Sequence, residues 1–314
     1  MIKAQIAIDF GGGYLRIFEK KLGLVYNEPS LIAVEKHGKK YAIIAIGNEA
    51  EQFEGTKNQL VFSPIAEGAV QSVEFASALL KRALESVFFA KTIKNTKVFI
   101  SVPSGLDKTE KTKFLKTCSL TGITDAQIVD GTLCAAIGLN KQNEEILIID
   151  LGASKSDFQI LQNHQIQKNA TLGLGANSIQ NAIMQTLWDD LDLYVTPQTA
   201  KNIQMELGSL FSSDNNSLQI SAIHTQTKEH ITKNIMAQKI YPIIKGFFDE
   251  VALCANTLLE EYLPNTVQCI AICGGLAKTP GIEKFFLKNF PNTNIFISEN
   301  PEETVLEGLK KIIS

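Results

Sequence analysis

Two short segments of the chain combine the residue types that hold phosphate groups. Residues 9–13 (DFGGG) and 150–154 (DLGAS) each have an Asp at the end of an apolar run, then a turn of small residues and a second strand-like run. Backbone N–H groups in such a turn can bind phosphate oxygens, and a neighbouring carboxylate can hold the water shell of Mg²⁺. The phosphate candidates are Asp9, Gly11, Gly12, Gly13, Asp150, Gly152, Ala153, Ser154 and Lys155, with Asp9 and Asp150 as the magnesium candidates.

A single turn of this kind is weak support for a site, because Asp-x-Gly also ends many ordinary strands. Two of them in corresponding positions predict a duplicated fold that clamps phosphates between its halves. Each half also reads as three strands followed by alternating helices and strands, which favours mixed sheets covered by helices. A polar linker at 141–145 lies near the middle, and the predicted domains are residues 1–142 and 143–314.

The composition argues against several classes of function. The 314 residues suffice for two domains, and 45% hydrophobic with 20% charged residues is ordinary for a globular protein. A net charge of −3 with scattered basic residues argues against nucleic-acid binding, and the His and Cys residues form no pattern typical of zinc sites. Because no signal peptide and no apolar run near ~18 residues is recognisable, we expect a cytoplasmic protein.

Short motifs along the chain carry a family resemblance. They are 27–30 (NEPS), 46–50 (IGNEA), 64–70 (PIAEGAV), 102–105 (VPSG), 135–138 (AAIG), 200–209 (AKNIQMELGS), 273–275 (CGG) and 299–301 (ENP). Each motif is weak alone. In this order and spacing they resemble the actin-like ATPase superfamily and, within it, the MreB family of bacterial actins, over nearly the whole chain.

The resemblance implies an α/β protein with the duplicated actin-like (ribonuclease H-like) fold, in which two mixed-sheet domains flank a central nucleotide cleft holding ATP and Mg²⁺. It implies insert subdomains at about 30–69 and 178–236. Gly274, Gly275 and Leu276 would lie under the adenosine, and Gly175, Ala176, Asn177 and Glu206 near the base and ribose. The family forms filaments, binds the inner face of the cell membrane and controls cell shape, so the implied partners are the protein itself and other MreB paralogues.

The sequence departs from the family pattern at the residues predicted to bind phosphate and to position water. The first turn lacks the family's hydroxyl donor and is followed by the bulky Tyr14. Ala153 and Ser154 stand where the family has Gly, so a positive φ there would be costly. Lys155 replaces a Thr and either contacts a phosphate as a point charge or points to solvent.

Gly131 occupies the place where the family has the Glu that positions the attacking water. A Gly has no side chain with which to orient a nucleophile. Asp130 is the one catalytic candidate that would compensate, and the alternative is that it caps the helix that follows. The resemblance therefore implies retained ATP binding with weak hydrolysis, or a nucleotide-free scaffold that co-assembles with another MreB.

Val87, Phe88 and Phe89 end the first long predicted helix, where MreB proteins use an apolar loop to enter the bilayer. Lys91 and Lys94 beside them would suit anionic headgroups. These residues predict a peripheral contact with the inner membrane. The alternative is that Val87 and one Phe close the helix against the domain core.

Two other classes within the superfamily deserve comparison. A sugar or acetate kinase would need a carboxylate base or an Arg cluster aimed at the acceptor, and neither is recognisable here. A chaperone-like ATPase would need a peptide-binding domain or a docking linker in addition to the nucleotide-binding fold. The sequence therefore favours a cytoskeletal protein over both.

Overall fold

The computed structural model describes residues 4–38, 40–56, 58–212, 215–262 and 266–314, with only the backbone at positions 4, 90 and 91. In chain order, the first half contains β1 (Ala4–Phe10), β2 (Tyr14–Glu19), β3 (Gly23–Pro29), β4 (Ile32–His37), β5 (Lys40–Ile46), α1 (Gly47–Glu51), β6 (Gln59–Phe62), β7 (Ile65–Ala66), β8 (Ala69–Val70), α2 (Val73–Glu85), α3 (Ala90–Lys94), β9 (Thr96–Val102), α4 (Lys108–Leu120), β10 (Asp125–Asp130) and α5 (Gly131–Gly138).

The second half repeats the pattern with its own insertions. It contains β11 (Ile146–Leu151), β12 (Ser156–Gln162), β13 (Gln165–Leu172), α6 (Ala176–Leu191), β14 (Leu193–Tyr194), α7 (Pro197–Leu207), β15 (Ser217–His224), β16 (His230–Met236), α8 (Ala237–Glu260), β17 (Cys269–Cys273), α9 (Ile282–Asn289), β18 (Asn294–Ile297) and α10 (Thr304–Ile313), with 3₁₀ turns at Gly275–Lys278 and Pro301–Glu303.

The two main sheets have the same strand order and the same directions. The first runs β10-β9-β1-β2-β3 and the second runs β18-β17-β11-β12-β13. In each sheet the first three strands of the half form an antiparallel meander, and the later strands add in parallel. The central strands are buried on both faces, which explains why they read as continuous apolar runs such as residues 146–149. The predicted duplication is therefore present strand for strand.

The smaller sheets lie within the predicted insertions. Strands β4, β5 and β6 form a three-stranded sheet in the first half, and β14, β15 and β16 form one in the second. Helix α1 lies between strands β5 and β6 of the first small sheet and contacts β4 and β5, and helix α7 packs on the second small sheet. These two insertions bring α1 and the beginning of α7 to opposite sides of the space between the halves.

Two helices cross between the halves. The first two turns of α5 pack against the second sheet through Ala135 and Ala136. Helix α10 packs on the first sheet, where Leu306 and Leu309 meet Ala7. The sequence assigned this C-terminal helix to the second domain, because nothing local in a helix tells which sheet it will cover.

The apolar residues after α2 divide between the core and the surface. Phe88 is 8% exposed and packs with Leu84 in the core, and Val87 is partly buried against the same cluster. Phe89 is 88% exposed. This division matches the alternative in which Val87 and one Phe close the helix against the core, and it leaves Phe89 as the exposed ring. The side chain of Lys91 lies outside the described residues.

Within the described residues, no helix combines the length and the apolar character that crossing a bilayer requires.

Candidate phosphate-binding cleft

A cavity of about 900 Å³ lies between the two main sheets. Most residues predicted to bind phosphate or nucleoside line it. These are Asp9, Gly11, Gly12, Gly13, Asp150, Gly152, Ala153, Ser154, Lys155, Ala176, Asn177, Gly274, Gly275 and Leu276. The fold thus brings together residues that are far apart in the chain, because both Asp-turn segments sit at the same edge of their sheets.

The two turns are built alike and face each other. The N–H of Gly11 donates to the carbonyl of Tyr14 over 3.0 Å, and the N–H of Gly152 donates to the carbonyl of Lys155 over the same distance. A Cβ on Gly13 would lie 3.0 Å from the Cβ of Ala153. A side chain at Gly13 would therefore press on Ala153, which favours glycine at the point where the two turns meet.

The expected strain in the second turn does not arise. Ala153, Ser154 and Lys155 all have negative φ. Ala and Ser therefore fit this turn without the cost expected for a position that needs glycine. The N–H of Gly152 still donates to the carbonyl of Lys155, although Ala153 and Ser154 stand where the family has glycine.

The first turn of helix α6 is hydrogen-bonded to the Asp-turn segment at residues 150–154. The N–H groups of Ala176 and Asn177 donate to the carbonyls of Gly152 (3.1 Å) and Ala153 (2.8 Å). Gly175 lies so close to the Ala153 carbonyl that a Cβ would be 2.6 Å from its oxygen. Gly175 is therefore a packing residue beneath the turn, whereas the resemblance placed it near the base and ribose.

Gly274 begins the segment predicted to lie under the adenosine. Its φ is +84°, and a Cβ there would lie 2.6 Å from Oδ1 of Asp150. Gly275 has open space around it, and Leu276 is 5% exposed and forms an apolar wall. Of these three residues, Gly274 is the one whose backbone demands glycine.

Asp9 is held by two donors. Ser101 Oγ donates to Oδ1 over 2.8 Å, and Arg16 Nη1 lies 3.4 Å from Oδ2. Asp9 and Arg16 are directly opposite each other in the β1–β2 hairpin. The sequence analysis missed Arg16, although its position in the hairpin was a usable signal.

The second hairpin places Asp150 directly opposite Asp157. Desolvation and the charges of Asp157 and Asp9 raise the pKa of Asp150 to about 7. The pKa of Asp157 is also raised, because the desolvation of its carboxylate outweighs the nearby Lys155. The second hairpin therefore holds two carboxyl groups whose pKa values are raised because burial disfavours their charged forms.

Lys155 does not point to solvent. It is 8% exposed, and its Nζ lies 2.9 Å from Oδ1 of Asp157, which also accepts from Thr171. Its aliphatic chain packs directly on Gly68, whose φ is +75° in the β7–β8 turn of the first half. Lys155 thus spans the bottom of the cleft from one half to the other.

The residues around Asp9 and Asp150 determine whether these carboxylates could hold a hydrated Mg²⁺ ion. Mg²⁺ requires near-octahedral oxygen ligands and keeps several waters. Both oxygens of Asp9 already accept from protein donors, one of them the cation Arg16. Oδ1 of Asp150 lies close to Gly274, and the positive charge of Lys155 interacts with the carboxylate of Asp150. This donor set fits a divalent cation poorly.

Asp130 caps α5, as the structural alternative predicts. Its Oδ1 accepts from the N–H groups of Thr132 and Leu133, both over 3.1 Å, and from the hydroxyls of Ser104 and Thr132, both over 2.8 Å. Gly131 and Thr132 line the cleft. Four donors converge on one oxygen of Asp130, and Asp130 is not among the residues that line the cleft, so these contacts favour its role as the cap of α5.

One face of α7 lines the cleft through Lys201, Gln204, Met205 and Gly208. These positions are three or four residues apart and so share a side of the helix. Glu206 falls outside this face and is exposed. Glu206 is not among the residues that line the cavity, and its predicted place near the ribose stays a prediction. Gln204, which accepts from Gln180 Nε2 over 2.9 Å, takes the cleft-facing position.

Contacts between the two insertions close the mouth of the cleft. Lys201 Nζ lies 3.2 Å from Glu51 Oε1, and the N–H of Gln198 donates to Glu54 Oε2 over 3.0 Å. Arg16 and Lys201 lie 5.0 and 5.9 Å from the ring centre of Tyr14. No local pattern predicts the contacts of Glu51 and Glu54 with α7, because they join segments about 150 residues apart.

Comparisons with known proteins agree with this geometry. The model of the MreB/Mbl protein family matches residues 3–314. The chain is 21% identical over 319 residues to the cell shape-determining protein Mbl of Bacillus cereus, covering 98% of this chain and 95% of Mbl.

Two solved structures share the fold. MreB 5 of Spiroplasma citri bound to AMPPNP superposes with a TM-score of 0.91 at 23% identity, covering 99% of this chain and 96% of that chain. A MamK double helical filament gives a TM-score of 0.83 at 16% identity, covering 99% and 98%. These likenesses confirm the predicted duplicated actin-like fold.

Proposed function

This chain belongs to the MreB/Mbl protein family, and we propose that it is a filament-forming cytoskeletal protein that binds ATP between its two halves and hydrolyses it weakly or not at all. In this proposal the filaments form from the protein itself or with MreB paralogues, and they serve cell shape.

The observation that carries nucleotide binding is the pair of opposed turns. Each turn is held by one backbone hydrogen bond from an N–H to a carbonyl. The two turns are in contact at Gly13 and Ala153. A polyphosphate fits between such turns because their remaining N–H groups can donate to its oxygens. The AMPPNP bound to MreB 5 of Spiroplasma citri, a protein of the same fold, supports the same ligand class here.

Weak hydrolysis follows from Gly131. The residue at the start of α5 lines the cleft but has no side chain to position a water. Asp130 beside it is occupied by four donors. In this proposal ATP therefore acts mainly as a bound ligand that joins the two halves, and its hydrolysis contributes little.

Self-assembly is supported by the family and by the MamK double helical filament, which shares the fold. The same match favours a cytoskeletal protein over a kinase or a chaperone-like ATPase. We also propose a cytoplasmic location with peripheral contact at the inner membrane, now limited to Phe89 as the exposed anchor. The predicted Mg²⁺ stays a prediction that the donors around Asp9 and Asp150 do not favour.

Assembly with and without ATP tests the proposal. Purified protein should sediment and form filaments visible by negative-stain electron microscopy when ATP is added. A Gly13→Val variant, in which the side chain would press on Ala153, should lose this response, while Gly246→Ala, at an open position in α8 outside the cleft, should keep it. Filaments that are equal with and without ATP would instead favour the nucleotide-free scaffold.

A further inference from the structure

We propose that Lys155, together with Arg16, takes the place of a divalent cation in this cleft, so that the protein binds a nucleoside triphosphate without requiring magnesium. The inference rests on the proposed nucleotide binding. It adds a property of the same site, which is the source of the positive charge facing the terminal phosphates.

The side chain of Lys155 is fixed in the cleft by contacts with both halves. It ends the second phosphate turn and lines the cavity, and its Nζ is 2.9 Å from Asp157 Oδ1. On the other side its chain lies on Gly68, and a Cβ at that position would be 2.9 Å from Nζ. The ammonium group is therefore held from both halves, which limits the side-chain entropy lost when a phosphate binds.

The position of Lys155 is suited to the phosphate tail. Its own carbonyl closes the second turn by accepting from Gly152, and the first turn is in contact at Gly13 and Ala153. A phosphate held by both turns would lie beside this ammonium group. A Lys ammonium binds phosphate as a compact point charge.

Arg16 supplies the second cation on the opposite hairpin. Its guanidinium lies 3.4 Å from Asp9 Oδ2, and its buried Nε has no hydrogen-bond partner among the described residues. Asp9–Arg16 and Asp150–Asp157 are equivalent cross-strand pairs of the two hairpins. Each hairpin therefore carries an internal cation beside its carboxylates, Arg16 in the first and Lys155 in the second.

These cations disfavour a divalent ion at the same place. Like charges a few ångströms apart repel strongly where solvent screening is reduced. A Mg²⁺ ion would also compete with Arg16 and Ser101 for the oxygens of Asp9. The phosphates can instead be neutralised directly by side chains that are already present.

The test is a titration of a fluorescent ATP analogue into the full-length protein, once with excess Mg²⁺ and once with EDTA. For the unmodified protein we expect the two Kd values to agree within about threefold. Lys155→Met keeps the packing on Gly68 but removes the charge, and it should weaken binding in EDTA by about tenfold or more. Lys233→Thr, an exposed change outside the cleft, serves as the matched control and should leave both values unchanged.

Each outcome decides a different claim. Binding with Mg²⁺ that is lost by more than about tenfold in EDTA would overturn the inference and leave the proposed function intact. No binding in either buffer would refute the proposed nucleotide binding itself. Unchanged affinity of Lys155→Met in EDTA would remove Lys155 from the account. If that variant does not fold, the comparison of the two buffers for the unmodified protein still decides whether magnesium is required.

Discussion

Gly308 lies directly on the backbone carbonyl of Cys134, where α10 crosses α5 between the two halves. Gly138 on α5 faces the carbonyl of Thr304 on α10 in the same way. Glycine at both positions lets the two helix backbones touch. Because α5 begins at Gly131 in the cleft, this crossing connects the cleft to the joint between the halves.

A methyl group at this crossing should therefore be costly. Gly308→Ala forces the backbones of α5 and α10 apart and should lower the free energy of unfolding by about 2–3 kcal/mol. Denaturant unfolding followed by circular dichroism measures the change. The matched control is Gly246→Ala, which lies in α8 with open space around it and should gain about 0.5–1 kcal/mol from helix propensity. Equal effects of the two changes would contradict the close crossing.

The ion pair between Lys201 and Glu51 should slow the escape of a bound nucleotide. Both side chains are partly exposed, so the pair contributes about 0.5–1 kcal/mol, and Lys201→Met should speed release about two- to fivefold. Stopped-flow release of a fluorescent nucleotide measures this rate. Lys239→Met breaks a surface pair with Asp190 and should not change it. If exchanging the charges, with Glu51→Lys and Lys201→Glu together, fails to restore slow release, the pair does not close the cleft.

The carboxyl of Asp150 predicts a pH dependence of stability. Its pKa is raised from 3.8 to about 7 in the folded protein, so the folded state binds a proton more tightly than the unfolded chain. Stability should therefore fall as pH rises between these two values and level off above the higher one. Because the cleft admits some solvent to this group, the loss should be about 1–2 kcal/mol.

Asp150→Asn should flatten this profile when the melting temperature of nucleotide-free protein is followed from about pH 5 to about pH 8. The raised pKa of Asp157 leaves part of the slope in place. Asp249→Asn changes a carboxylate paired with Lys245 on the surface and should leave the profile as it is. An Asp150→Asn profile as steep as that of the unmodified protein would show that another group is responsible.

Phe89 should act in membrane contact without contributing to stability. The ring is 88% exposed, so Phe89→Ser should change the free energy of unfolding by less than about 0.5 kcal/mol. It should reduce sedimentation with anionic lipid vesicles several-fold, because one Phe contributes about 2 kcal/mol on burial. Leu253→Ser, at a position 60% exposed on α8, is the matched control. Equal vesicle binding of all three proteins would end the membrane proposal.

The paired turns could be predicted from the sequence because their geometry is local. An Asp, a small-residue turn and a strand form a hairpin whatever surrounds them, and the same pattern in both halves predicted the duplicated sheets. The partners Arg16 and Asp157 follow from the same local rule, since each faces its Asp across the hairpin. The motif alone does not identify them, because the cross-strand register also depends on the length of the turn.

Residues placed by distant parts of the fold could not be predicted in the same way. Lys155 is held by Gly68 from the other half, and Glu206 turns away from the cleft because packing sets the rotation of α7. Phe88 and Phe89 are neighbours of the same type, yet only the first meets the core. The C-terminal helix returns to the first sheet through contacts with Ala7 that no local pattern announces.

The most direct measurement of the central claim is a calorimetric titration of ATP into the purified protein, with phosphate release followed in the same sample. We expect saturable binding of ATP with little phosphate released. Rapid release would contradict the role assigned to Gly131. An absence of binding heat at saturating ATP, confirmed by equilibrium dialysis, would contradict the claim that the two opposed turns hold a nucleotide.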